Sequence, residues 1–242
     1  MDQLIDGIAK AFQLMLSGDP ALYSVVFRSL LFSGLATILA MLWGTPIAML
    51  LTMKNFRGRS IVKGFFTTLI GMPTVALGLI LWLIFSKAGP AGFLGILYTP
   101  AAVIIGEAIL VTPLIVSIAV TAIESVDPEM MHLAKTLGAS ESQASIAVLK
   151  EAANGVIFSN VAGFNRAIAE LGVAWLVGGN IVGLTDVLTT DISMYTNRGD
   201  PSSISYAIAF AVILLVIVFS INIIIILARN PKVLATFGRS PQ

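Results

Sequence analysis

Residues 29–53, 64–86 and 203–228 carry no charged side chain. A run of about 20 apolar residues is enough to cross the hydrocarbon core of a bilayer as an α-helix. Inside that core every backbone amide and carbonyl needs a partner within the protein. The chain is therefore expected to be an all-α membrane protein. Composition agrees: 57% of residues are hydrophobic and 11% charged, with mean hydropathy +0.96, whereas soluble domains carry roughly 25% charged residues.

Several function classes fall away at once. The net charge of +1 leaves no basic surplus for phosphates, so no nucleic-acid partner is expected. Cysteine is absent and His132 is the single histidine, so neither disulfides nor a metal site are expected. Gly58–Gly64 (GRSIVKG) lacks the Gly-Lys-Ser/Thr ending of a phosphate-binding loop, and no hydrolase or zinc-protease motif occurs. No catalytic residues and no cofactor of its own are assigned. If this chain does uphill work, the energy comes from elsewhere.

The 242 residues fit a single transmembrane domain, read in order as follows. Residues 1–20 are expected to be retained, since acidic residues stand where a signal peptide needs basic ones. Leu4, Ile5, Ile8, Phe12, Met15 and Leu16 recur near helical spacing, which predicts an amphipathic helix at a membrane surface. A first span is placed near 23–53, bent by Gly44 and Pro46. Lys54, Arg57, Arg59 and Lys63 then mark the cytoplasmic side, which puts the N-terminus outside. A second span, 64–86, contains Pro73, which deprives the Leu69 carbonyl of its helical donor.

A glycine-rich external turn leads to a third span, 96–123, holding Glu107 and Pro113. The fourth, 154–178, carries Asn165, Arg166 and Glu170. Residues 179–202 set Asp186, Asp191 and Asp200 against Arg198 alone, as an external loop should, with a short helix expected over Thr185–Tyr195. The last span, 203–228, ends in Arg229, Lys232 and Arg239, a basic cytoplasmic tail. That makes five spans, N-terminus outside and C-terminus inside.

Between the third and fourth spans lies a polar cytoplasmic loop, 124–153. Asp127 and Pro128 suit a helix start, and Glu129 suits its positive first turn. Gly138 can take the left-handed conformation that ends helices, and Ser140 with Gln143 has the spacing of a capping box. Met130, Met131, Leu133, Ala134 and Leu137 give the first helix an apolar side; Glu129, His132, Lys135 and Thr136 stay polar. Helix, glycine, helix is a shape for presenting one short helix to a partner.

The intramembrane charges must face protein or a water-filled path, since each would cost several kcal/mol against lipid. Arg166 and Glu170, four apart, can pair on one helix face. One reading puts Arg166 against an anionic substrate; the other has the pair fasten its span to neighbours. Glu107 is expected in a helix interface, paired or protonated.

The loop segment HLAKTLGASESQASIAVLKEA (His132–Ala152) resembles the coupling-loop signature of ABC importer membrane subunits. That signature runs Glu-Ala-Ala, three residues, Gly, nine residues, Ile-x-Leu-Pro. Ala134, Gly138 and Val148 match it; His132, Leu133, Lys150 and Glu151 depart from it. With MPTVALGLIL, FNRAIAELGVAWLVGGNI and NRGD, nearly the whole chain is similar to the oxyanion branch of the type I importer permeases. The tungstate permeases are nearest and the molybdate permeases next.

The resemblance implies the type I permease fold in a homodimer within the cell membrane and its lipid. It implies two ATP-binding subunits, which would hold ATP and Mg, and an external substrate-binding protein. Glu129, His132, Lys135, Gly138, Ala139, Ser140 and Glu141 would then contact the ATPase, with Glu107, Asn165, Arg166 and Glu170 on the translocation path. Molybdate, sulfate or phosphate are the alternative substrates. A proton-coupled carrier using Glu107 and Glu170 is the alternative class, against which stands the lack of an inverted repeat.

Overall fold

The computed structural model describes residues 2–229, all helices and connections, with no strand among them. Lys232 and Arg239, and the side chain of Arg229, lie outside the described residues. Two compact units form.

The first unit joins the N-terminal segment to Tyr23 with the chain from Leu188 onward. Its helices are α1 (Asp2–Ser17), α10 (Leu188–Arg198) and α11 (Pro201–Arg229). The N-terminal helix forms as expected, and the side it packs against the protein is the one that carries Gly7 and Ala11. A Cβ on Gly7 would stand 2.4 Å from Ile208 Cγ2, so α1 lies directly on α11. Ala11 and Leu14 are buried beside it, while Leu4, Ile5, Ile8, Phe12 and Leu16 remain exposed.

Tyr195 stacks on Tyr206 and Phe210 at centroid distances of 5.5 and 5.6 Å. Lys10 lies over Tyr206 and Arg198 over Tyr195, so cations from α1 and α10 close the stack. Asp200 starts α11 by accepting the Ser202 hydroxyl and the Ser203 amide, which hold its carboxyl well below the usual range. The helix expected over 185–195 sits slightly later, at 188–198.

The second unit, Ser24–Val187, contains most of α2 (Pro20–Met53), then α3 (Arg59–Leu69), α4 (Thr74–Phe85), α5 (Pro100–Glu124), α6 (Glu129–Thr136), α7 (Glu141–Glu151), α8 (Ala153–Ile168) and α9 (Gly172–Gly178). Helix α5 is its central column. Leu77, Val103 and Val173 form a core around its start, Ala108, Val111 and Ala167 around its middle, and Val116, Ile123 and Val148 around its end. Small residues let backbones close up here: a Cβ on Gly155 would meet Ala122 Cβ at 2.4 Å, and one on Gly163 would meet Ile115 Cδ1 at 2.6 Å.

Pro46 and Pro113 both lie inside unbroken helices, α2 and α5. Pro73 ends one. Helices α3 and α4 meet at 102°, and the Leu69 carbonyl left by the proline accepts the Met72 amide at 3.1 Å in a tight turn. The expected fourth span is also interrupted, at residues 169–171. Both interruptions were absent from the reading of 64–86 and 154–178 as single helices. By length and composition, three described helices can cross a membrane: Pro20–Met53, Pro100–Glu124 and Pro201–Ile225; the bent pair α3–α4 would be a fourth only if counted as one span.

Candidate translocation and coupling sites

Glu170 organises the break between α8 and α9. One carboxylate oxygen accepts Arg166 Nη1 at 2.7 Å, from the last turn of α8; the other accepts the Val173 amide at 3.0 Å, in the first turn of α9. A carboxylate at a helix start satisfies an amide that has no intrahelical partner. Glu170 is buried, whereas the Arg166 side chain remains 36% exposed. The expected pairing therefore forms, with the guanidinium still reachable. Asn165 is half-buried next to it in sequence.

The half-helices α4 and α9 run side by side from the two breaks. A Cβ on Gly172 would sit 2.8 Å from Thr74 Oγ1, and one on Gly78 would sit 3.0 Å from the Gly172 carbonyl. Both helices thus begin at the same level and point the same way, and only glycine permits the approach. Beyond α9, the Tyr98 amide donates to the Val177 carbonyl at 2.9 Å, tying the α4–α5 connection to the same end.

Glu107, 2% exposed, reaches this region from α5. The Ser33 hydroxyl of α2 hydrogen-bonds its carboxyl, and Glu170 is near enough to repel it. Its Oε2 has no hydrogen-bond partner among the described residues. Three of the four expected path residues, Glu107, Arg166 and Glu170, are therefore brought near one another, two carboxyl groups and one guanidinium.

A second ion pair escaped the sequence reading. Arg28 Nη2 meets Asp186 Oδ2 at 2.6 Å, and Arg28 Nε donates to the Asp186 carbonyl at 3.1 Å. The other Asp186 oxygen accepts the Gly183 amide at 2.7 Å, while the Thr185 hydroxyl donates to the Gly178 carbonyl. The loop after α9 is thereby folded into a knot clamped to α2. No local spacing announces a pair so distant in sequence.

At the other end of α5, the loop takes the predicted shape. Asp127 Oδ1 accepts the Glu129 amide at 2.9 Å. Gly138 has φ +88°, and the Ala139 and Gly138 amides close on the Ala134 and Lys135 carbonyls. Ser140 and Gln143 form the full capping box. His132 lines a cleft of about 270 Å³ with Thr52, Met53, Glu124 and Val148.

The apolar side of α6 is divided, which the sequence reading missed. Met130 and Met131 pack on the core, whereas Leu133 and Leu137 are 59% and 80% exposed. Glu129, Lys135, Ser140 and Glu141 are exposed around them and Ala139 is half-buried, so α6 offers an apolar ridge in a polar frame.

The sequence pattern of the binding-protein-dependent transport system inner membrane component family matches residues 24–229. The chain belongs to this family. It is a multi-pass cell-membrane protein and a transport permease subunit rather than an enzyme. Among its permease relatives, a tungstate uptake system permease of Peptoclostridium acidaminophilum is 36% identical over 225 residues, covering 93% of this chain and 97% of that protein. A tungstate uptake system permease of Campylobacter jejuni is 34% identical, covering 93% and 92%. The molybdate/tungstate transport system permease of Pyrococcus furiosus is 30% identical, covering 66% and 61%. The fold is similar to that in a crystal structure of an amino acid ABC transporter with histidines, at TM-score 0.65 and 18% identity, covering 91% of this chain and 98% of that one.

Proposed function

We propose that this chain is the membrane-spanning subunit of an ATP-driven importer of oxyanions, with tungstate as its substrate. The observation that carries this reading is the near end-to-end match to two tungstate uptake permeases. Two copies form the path, five spans each, with the N-terminus outside and the C-terminus in the cytoplasm. The second span runs through α4, with α3 turned aside before it, and the broken pair α8–α9 serves as the fourth.

An external binding protein delivers the anion, and two ATP-binding subunits, which hold ATP and Mg, supply the work. Each receives α6 of one copy. Leu133 and Leu137 enter the ATPase surface, with Glu129, His132, Lys135 and the Gly138–Glu141 turn around them. The rigid column α5 joins that end to Glu107, so a displacement of α6 is felt at the α8–α9 break. There Arg166 and Asn165 offer a dianion polar contact, while Glu170 keeps the guanidinium from holding it too tightly.

Molybdate has the same charge and nearly the same size, so the path accepts it also, and selectivity lies largely with the binding protein. The test is uptake of labelled tungstate into proteoliposomes bearing the full transporter and binding protein, with molybdate, sulfate or phosphate as competitors. Tungstate uptake, displaced by molybdate and not by sulfate or phosphate, is the expected result. Uptake of sulfate or phosphate in preference to tungstate overturns the substrate assignment.

A further inference from the structure

Helix α3 has a face that no described residue covers. Val62 and Phe66 pack inward against the core at the end of α5. Ile61 and Phe65, one turn apart, point outward and are 78% and 58% exposed; Phe56, in the preceding turn, is exposed as well. Because α3 meets α4 at 102°, the two cannot both run across a bilayer. Helix α4 is packed along α9, so α3 is the one that turns aside.

The charges at its start are unbalanced. Arg59 and Lys63 share the single carboxylate of Glu124. Lys54 and Arg57 are exposed and form no ion pair among the described residues. Four cations and one acid therefore surround the α2–α3 turn, beside an outward row of large apolar side chains. A helix with an apolar face and a basic end lies in the boundary between headgroups and acyl chains, and an anionic surface strengthens that placement.

We propose that α3 lies in the plane of the membrane surface, with Ile61 and Phe65 in the acyl boundary and Lys54 and Arg57 on the phosphates of anionic phospholipids. Charge complementarity selects the occupant. A second copy of this chain would meet the same surplus of positive charge. The inference does not depend on which anion is transported, and its test reads no transport.

The test places the purified full chain in nanodiscs of phosphatidylcholine with a graded fraction of phosphatidylglycerol, one lipid at a time brominated on its acyl chains. Phe65→Trp adds a fluorophore to the outward face, read as the difference from wild type. The added fluorescence is expected to be quenched, with phosphatidylglycerol favoured over phosphatidylcholine by about fivefold for each of the two free cations. Lys54→Gln with Arg57→Gln should bring that ratio near one, and Lys87→Gln, in the distant α4–α5 turn, should leave it unchanged.

Absence of quenching overturns the proposal, as does equal quenching by the two lipids or a preference that survives loss of Lys54 and Arg57. Loss of the preference on adding inorganic phosphate, at matched ionic strength, would assign the cations to a free anion instead. A signal that depends on the number of chains per disc would assign the face to a second copy. Either also overturns it.

Discussion

Arg166 and Glu170 are joined at 2.7 Å across the end of α8, and the same carboxylate holds the Val173 amide that begins α9. One side chain thus ends one helix, starts the next and neutralises a cation. Glu170→Gln keeps an oxygen for the amide but loses the ion pair; Glu170→Ala loses both. The alanine variant should be the less stable by about 1 kcal/mol, the usual worth of a helix cap. Thermal unfolding in detergent measures the difference, and equal losses would deny Glu170 its part in starting α9.

Asp186 is buried and Arg28 nearly so, which places their pair where solvent screens little. Removing one partner of a buried pair leaves the other charge uncompensated, at a cost of about 3–5 kcal/mol. Asp186→Ala should destabilise by that order and speed hydrogen exchange at Gly183. Replacing both Arg28 and Asp186 with apolar residues should recover most of the loss. A stability unchanged by Asp186→Ala would show that the loop after α9 holds without the clamp.

The contact of α4 with α9 depends on having no side chain at Gly78 and Gly172. Gly172→Ala should force the half-helices apart and cost about 1–3 kcal/mol, the range for overpacked cores. Gly64→Ala, in α3 with open space around it, should instead stabilise by about 0.5–1 kcal/mol through helix propensity. Melting curves of the two variants should move in opposite directions.

Leu133 and Leu137 are exposed, so exchanging them for serine should leave the stability of the isolated chain unchanged. Burying a leucine at an interface contributes about 1.5–3 kcal/mol, so each exchange should weaken capture of the ATP-binding subunit by about tenfold or more. Gly138→Val, at φ +88°, should strain the turn and reduce coupled uptake with membrane insertion intact. Pull-down with the purified ATPase subunit and uptake measured in parallel separate these effects.

The parts legible in the sequence were those set by neighbours along the chain. Ser140 with Gln143, the left-handed Gly138 and the pairing of Arg166 with Glu170 all follow from spacings of five residues or fewer, and all appear. The family resemblance rested on the same stretches. What stayed hidden depends on distant partners. No proline marks the break at 169–171, and the need for Gly172 arises only from Thr74 on another helix. Arg28 and Asp186 find each other only in the folded chain. In α1 the large residues marked a membrane-facing side, whereas the packing of Gly7 and Ala11 against α11 depends on Ile208, far along the chain. Similarly, Met130 and Leu133 look alike in sequence, and only the position of α6 against α5 and α7 sends one inward and the other out.

The most direct measurement is tungstate uptake into proteoliposomes containing two copies of this chain, the ATP-binding subunits and the binding protein. Uptake should require ATP outside the catalytic reach of this chain. It should stop when the partner ATPase is inactivated by mutation and continue when a protonophore collapses the proton gradient. Uptake that survives the inactive ATPase but collapses with the gradient would contradict an ATP-driven permease and turn Glu107 and Glu170 into candidates for proton coupling.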